Sequence, residues 1–249
     1  MIKTAFASSI GRIRKSNQDF VQVFKNKSGA TMAIVCDGMG GHQGGDVAST
    51  MAVSHLGHSF SETDFSDCAN AHKWLDVQLS SENETILRTA DRFPDLNGMG
   101  TTIVLAVVFD HQALIAHLGD SRAYGYAEGK FVQLVEDHSL VNELVKMGQI
   151  TKQQALTHPQ KNIITQSLGV SSTIDPEFRE IPFNDDDLIL LCTDGLTNSL
   201  TDPQIQQILA TKDLSLKDRC HKLINEANRL GGGDNITVCL VLNEGGGSR

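Results

Sequence analysis

Four aspartates stand where apolar runs stop or start. Ala33-Ile34-Val35-Cys36 runs into Asp37-Gly38, Leu114 to Gly119 into Asp120, and Leu188 to Thr193 into Asp194-Gly195, while Gly233-Asp234-Asn235 opens the run Ile236 to Leu242. A single Asp-Gly after a strand is usually a turn. Four carboxylates brought to one point are different, because each pair at 4 Å repels by roughly 4 kcal/mol in a partly shielded site. Such a cluster needs protons or divalent cations. Oxygen donors select Mg²⁺, Mn²⁺ or Ca²⁺ over zinc, and no HExxH, CxxC or EF-hand pattern points to another ion. Two ions about 4 Å apart share a carboxylate, and Asp37, on the most rigid strand end, suits that role. The chemistry that follows is hydrolytic phosphoryl transfer by a bridging water whose pKa is lowered to roughly 7. The phosphate then needs a grip. Arg14, in the polar loop before Asp19, offers a bidentate guanidinium; Arg12 reads as a surface residue. Cys36 does not make a C-x5-R nucleophile loop, because His42 stands where Arg is required, and there is no Walker A loop.

The elements that must position these groups are legible from periodicity. Phe20 to Phe24 alternates, Asn26-Lys27-Ser28-Gly29 turns, and Thr31 to Cys36 returns, so one hairpin carries Asp19 and Asp37 to the same end of a sheet. Helices are expected over 46–60 and about 69–90. A meander follows: 101–109, 113–118, 122–127 and 131–135. Residues 137–170 change character, with short helices near 140–147 and after Thr151, whose capping box uses Gln154. A helical segment of this length between strands reads as a flap. Strands at 178–181, 188–193 and 236–242 and helices at 201–211 and 216–230 complete the chain. Asp185-Asp186-Asp187 reads as a solvated turn in preference to a metal site. Strands in antiparallel hairpins with paired helices between them predict an α+β fold of antiparallel sheets covered by helices.

The whole chain bounds the rest. It has 249 residues and a net charge of −9, which argues against nucleic acid and against an anionic membrane surface. No apolar run approaches membrane-spanning length and no secretory h-region is present. Five scattered cysteines read as buried reduced thiols in a cytoplasmic protein.

Eight motifs then occur in one order: Gly11-x-x-Arg14-x-x-Asn17-Gln18-Asp19, Asp37-Gly38-Met39-Gly40-Gly41-His42, Met99-Gly100-Thr101-Thr102, Gly119-Asp120-Ser121-Arg122, Asp137-His138-Ser139, Ser167-Leu168-Gly169, Thr193-Asp194-Gly195 and Gly233-Asp234-Asn235. In that order the chain resembles the metal-dependent type 2C serine/threonine protein phosphatases, in the compact bacterial form that commonly opposes a membrane-anchored Ser/Thr kinase. The resemblance implies a four-layer αββα sandwich of two antiparallel sheets flanked by helix pairs, as one catalytic domain over 1–243 with a flap at about 137–170 and a disordered tail at 244–249. It implies Mn²⁺ or Mg²⁺, two ions with a third expected. Asp37 bridges, the Gly38 carbonyl ligates one ion, Asp194 and Asp234 the other, and Asp120 with Asp194 the third. Arg14 binds phosphate, Asp19 acts at the cluster as ligand or through water, and phosphorylated proteins are the substrates of a monomeric enzyme.

Three positions depart from the pattern of many relatives. Gln18 replaces a Glu, Gln166 an Arg, and Met39 the His found in the animal enzymes, which leaves protonation of the leaving group to another donor. His42 is a candidate, as is a water on a metal; a structural His42 capping the next helix or bonding a carboxylate is the alternative. Two other readings stay open at this point: a phosphoprotein-recognition module that binds metal without catalysis, and a phosphatase of a small phosphorylated metabolite.

Overall fold

The computed structural model describes residues 1–40, 44–211 and 213–245. In chain order the elements are β1 (Ile2–Ser9), β2 (Asp19–Lys25), β3 (Thr31–Met39), α1 (Gly44–Ser61), α2 (Cys68–Arg92), a 3-10 turn (Pro94–Leu96), β4 (Gly100–Thr101), β5 (Ile103–Phe109), β6 (Gln112–Leu118), β7 (Arg122–Ala127), β8 (Lys130–Gln133), α3 (Leu140–Lys146), α4 (Lys152–Leu156), β9 (Glu177–Pro182), β10 (Leu188–Cys192), α5 (Asp194–Thr197), α6 (Asp202–Leu209), α7 (Leu216–Arg229) and β11 (Ile236–Asn243).

Two antiparallel sheets result, one ordered β1-β11-β10-β7-β8 and the other β2-β3-β5-β6-β9, with β4 paired to the end of β3. Strand β3 explains the layering. Met32, Ile34 and Cys36 face a core shared with Leu56 of α1 and Leu79 of α2, while Ala33 and Val35 face a second core with Ile189 and Leu191 of β10 and Val241 of β11. Successive side chains of a strand point to opposite faces, so a strand buried on both faces must be apolar at every position. That is why these strands read as unbroken runs. A third core lies outside the first sheet, where Leu190 and Leu240 meet Ile205 of α6 and Leu223 of α7. Helix pair, sheet, sheet and helix pair are therefore stacked as four layers. Each fully buried Leu or Ile contributes about 1.5–3 kcal/mol relative to exposure.

Local expectations were met closely, apart from the unexpected β4 and α5 and the following differences of boundary. Strand β3 does not stop at Cys36 but continues through Asp37 to Met39, because Gly38 and Met39 find partners in Thr101 and Gly100 of β4. Strand β8 ends at Gln133 instead of Val135; Leu134 still donates to the Ala123 carbonyl at 2.8 Å. Glu244, placed in the tail expected to be disordered, is held, since its carbonyl accepts from the Met1 amino group at 2.7 Å; 246–249 lie outside the described residues. The capping box at Thr151 and Gln154 is present. All five cysteines are free and buried. Asp185 to Asp187 form a turn in which Asp187 Oδ2 accepts from the Asn184 amide at 2.7 Å.

Candidate metal centre

The hairpin β2–β3 pairs Asp19 directly with Asp37. The backbone of Asp37 is clamped from the side: its amide donates to Thr102 Oγ1 at 3.0 Å, and its carbonyl accepts from Thr101 Oγ1 at 2.9 Å and from the Thr102 amide at 2.9 Å. Both threonines are fully buried, which fixes the Asp37 carboxyl in place. Gly38 is where β3 passes the start of α1. A Cβ there would lie 1.9 Å from the Gly45 carbonyl oxygen, so only glycine permits this approach. Gly195 is the matching contact on the other sheet, where a Cβ would meet the Asn235 carbonyl oxygen at 1.9 Å.

The remaining carboxyls arrive from three further places. Asp194 is the first residue of α5, Asp120 follows β6 in the bend that leads into β7, and Asp234 precedes β11. They sense one another. Burial pushes the Asp37 carboxyl well above the usual range, reinforced by repulsion from Asp19, Asp194, Asp120 and Asp234. Burial likewise raises Asp19 to about 7, Asp120 to about 8 and Asp194 to about 6, with Asp194 adding repulsion at Asp19 and Asp120 and Asp234 adding it at Asp194. Oδ1 of each of Asp19, Asp120 and Asp194 is buried with no hydrogen-bond partner. Buried carboxylate oxygens left unpaired are costly. Divalent cations would satisfy them, so the donor set fits hard, oxygen-preferring ions. Asp37 and Asp19 come from one sheet; Asp194 and Asp234 flank strands of the other.

Asp19 is held by hydroxyls. Its Oδ2 accepts from Thr237 Oγ1 at 2.6 Å and from Thr193 Oγ1 at 2.9 Å. A relay reaches the same point from outside, Asn17 Nδ2 to Ser8 Oγ at 2.8 Å and Ser8 Oγ to Thr237 Oγ1 at 2.7 Å. Asn235 anchors the loop that carries Arg14: its Oδ1 accepts from the Gln18 amide at 2.8 Å, and its Nδ2 donates to the carbonyls of Ile10 and Ser16 at 2.9 and 3.0 Å. Thr193 and Asn235 stand in the sequence motifs and Thr237 in the apolar run that follows the last of them, but none had a role in the sequence reading. Their signal is a hydroxyl or amide beside each acidic residue, which only register turns into a contact.

Arg14 lies at the rim, half exposed, and its guanidinium donates to Asp234 Oδ2 at 2.8 Å. Gln18 works mainly through its backbone, where its carbonyl accepts from Ser49 Oγ at 2.6 Å and from the Gly38 amide at 3.1 Å. Gln166 Oε1 accepts from the Asp175 amide at 3.0 Å, within the connection from the flap to β9. His42 lies outside the described residues. The flap is rooted by Asp137, whose two carboxylate oxygens accept from Arg122 Nε and Nη2 at 2.7 and 2.6 Å. Burial works against the Arg122 charge, and Asp137 overrides it, so the guanidinium stays protonated. Between flap and centre lies a cavity of about 710 Å³, reached by Asp120, Asp194 and Asn198 on one side and by Lys146, Lys152 and Lys161 of the flap on the other.

Comparisons with known proteins agree with this fold. The profile described as protein phosphatase 2C matches residues 12–226. The chain is 44% identical over 237 residues to the serine/threonine phosphatase stp of Listeria welshimeri, covering 95% of this chain and 94% of that one. It is 42% identical over 240 residues to the protein phosphatase PhpP of Streptococcus pneumoniae, covering 96% and 97%. The solved serine/threonine phosphatase of S. agalactiae superposes with a TM-score of 0.94 at 42% identity, over 98% of this chain and all of that one. Fold, ordered motifs and full-length relatives converge, and the chain belongs to the protein phosphatase 2C family.

Proposed function

We propose that this protein serine/threonine phosphatase hydrolyses phosphoserine and phosphothreonine at a binuclear Mn²⁺ or Mg²⁺ centre built on Asp37. The activity class follows from the family and from relatives named as serine/threonine phosphatases. The observation that carries the metal reading is the set of orphaned, buried oxygens on Asp19, Asp120 and Asp194 in one mutually repelling cluster. In this reading Asp37, the Gly38 carbonyl, Asp194 and Asp234 would hold two ions, and Asp120 with Asp194 would hold a third. When bound, the ions supply a low-pKa water as nucleophile and neutralise charge on the phosphoryl oxygens.

The chain's own residues do the rest. Arg14 exchanges its contact with Asp234 for the substrate phosphate, an exchange that is cheap because an exposed pair contributes only about 0–1 kcal/mol. Asp19, held by Thr193 and Thr237, orients water at the cluster. His42 is the candidate proton donor to the leaving serine or threonine oxygen. The flap lysines offer positive charge to an acidic phosphoprotein segment. The single domain over 1–243 acts as a monomer in the cytoplasm, reversing a membrane-anchored Ser/Thr kinase. Among the described residues no helix is long and apolar enough to cross a membrane.

The test is phosphate release from a phosphothreonine peptide titrated with Mn²⁺, for wild type, Asp194→Ala and Asp120→Ala. Strict Mn²⁺ or Mg²⁺ dependence and a large loss in Asp194→Ala are expected. Full activity in excess chelator sinks the metal reading, and faster turnover of sugar phosphates than of phosphopeptides sinks the substrate reading.

A further inference from the structure

We propose that His117, His138 and Glu177 form a separate site for a Zn²⁺-class divalent transition-metal ion, which clamps the root of the flap. It is independent of the phosphatase reading. One ligand atom from each of the three residues lies within 4.8 Å of the others. His117 is fully buried, and neither ring nitrogen has a hydrogen-bond partner. A buried imidazole with both nitrogens idle is anomalous. Its Nδ1 faces Glu177 Oε2 at 3.9 Å, too far for a good hydrogen bond and suited to an ion between them.

The site has the other features an ion needs. Burial lowers the His117 pKa to about 3, so the ring is neutral, as a ligand must be. The backbone of Ser121 and Gly119 beside the ring partly opposes that shift, without reaching hydrogen-bond geometry. The His138 ring packs against that of His117 with centroids 4.7 Å apart. Its Nδ1 is engaged only by a long contact, 3.3 Å from the Gly119 amide. Coordination through either ring nitrogen releases that contact, by displacing it or by shifting the tautomer. Glu177, Asp175 and Asp137 act on His138 against Lys146, while Arg122, paired to Asp137, acts on His117. A cavity of about 420 Å³ lined by His138, Glu177, Glu143, Thr165 and Asp175 gives entry and room for a water as fourth ligand. Two imidazoles and one carboxylate with an open position suit Zn²⁺ and its neighbours, and not the hard ions of the aspartate centre.

Placement gives the ion its role. His117 is in β6, His138 stands where the chain enters the flap, and Glu177 is the first residue of β9, where it returns. One ion therefore ties both ends of the flap to the sheet, three residues from Asp120.

The test is a chelator-competition titration with Zn²⁺ in saturating Mg²⁺, which fills the oxygen-rich centre, followed by zinc-edge X-ray absorption. Wild type should bind Zn²⁺ with imidazole neighbours. His138→Gln and the isosteric Glu177→Gln, both at partly exposed positions, should weaken binding by at least about 10- to 100-fold, the range typical of losing even an outer partner. Hydrogen exchange over 138–177 should slow on Zn²⁺ addition in wild type only. Unchanged affinity in both variants, or zinc with oxygen neighbours alone, overturns the proposal.

Discussion

Stripping the ions should invert the pH dependence of stability. In the metal-free fold Asp194 has a pKa of about 6, Asp19 about 7 and Asp120 about 8, and Asp37 lies well above the carboxylate range. In the unfolded chain each returns to roughly 3.9. Groups whose folded pKa is raised contribute stability that is fully present below the unfolded value and is lost as pH rises from there through the folded ones, here from roughly 4 to about 8. Near pH 6 to 7 the metal-free fold holds more protons than the unfolded chain, about one to three after sharing within the cluster. The slope is then roughly 1.4–4 kcal/mol lost per pH unit. For a chain of this size that is about 3–16 °C in Tm per unit. With ions bound the carboxylates are held ionised, and stability is lost in the other direction, as pH falls. Thermal unfolding from about pH 5.5 to about pH 8, with chelator and with Mn²⁺, should give curves of opposite slope. Calorimetry in buffers of different ionisation enthalpy should count the same one to three protons released on Mn²⁺ binding. A metal-free Tm that is flat or rising with pH, or no proton release, would refute the reasoning.

Three substitutions probe single contacts. Arg14→Ala should lower kcat/KM on a phosphopeptide by roughly 10- to 150-fold, mainly through KM, the size of one charged hydrogen bond; an unchanged KM argues against a phosphate grip. Gly38→Ala forces a methyl to within 1.9 Å of the Gly45 carbonyl oxygen and should cost about 1–3 kcal/mol or more in urea unfolding, with weakened Mn²⁺ binding. Thr237→Val removes the 2.6 Å donor to Asp19 and should cost about 1–3 kcal/mol; Thr237→Ser should restore most of it in the same assay.

Much of the architecture was legible because burial on both faces leaves a simple mark. A strand such as β3 is apolar at every position, and the hairpin turn at 26–29 fixes the register that sets Asp19 opposite Asp37. Helix starts were legible where a side chain caps locally, as at Thr151. Contacts that depend on partners distant in sequence were not. The extension of β3 to Met39 requires β4, and the short helix opened by Asp194 is set by the approach of Gly195 to Asn235. The threonines around Asp19 and the facing of His117 with Glu177 are consequences of register between strands far apart in the chain. The Arg14–Asp234 contact was likewise invisible, since the sequence assigns both residues to one centre without pairing them.

The pairing of β1 with β11, Ile2 against Asn243, sets when the molecule can first work. Of the described strands, the first in the chain has the last as its neighbour. At roughly 5–20 residues per second, β1 waits about 12–50 s on the ribosome with an unpaired edge. Asp234 and the threonine beneath Asp19 arrive with that final strand, so every earlier length of the nascent chain lacks a complete centre. The proposed centre therefore comes together only once β11 has been made and has closed the sheet against β1.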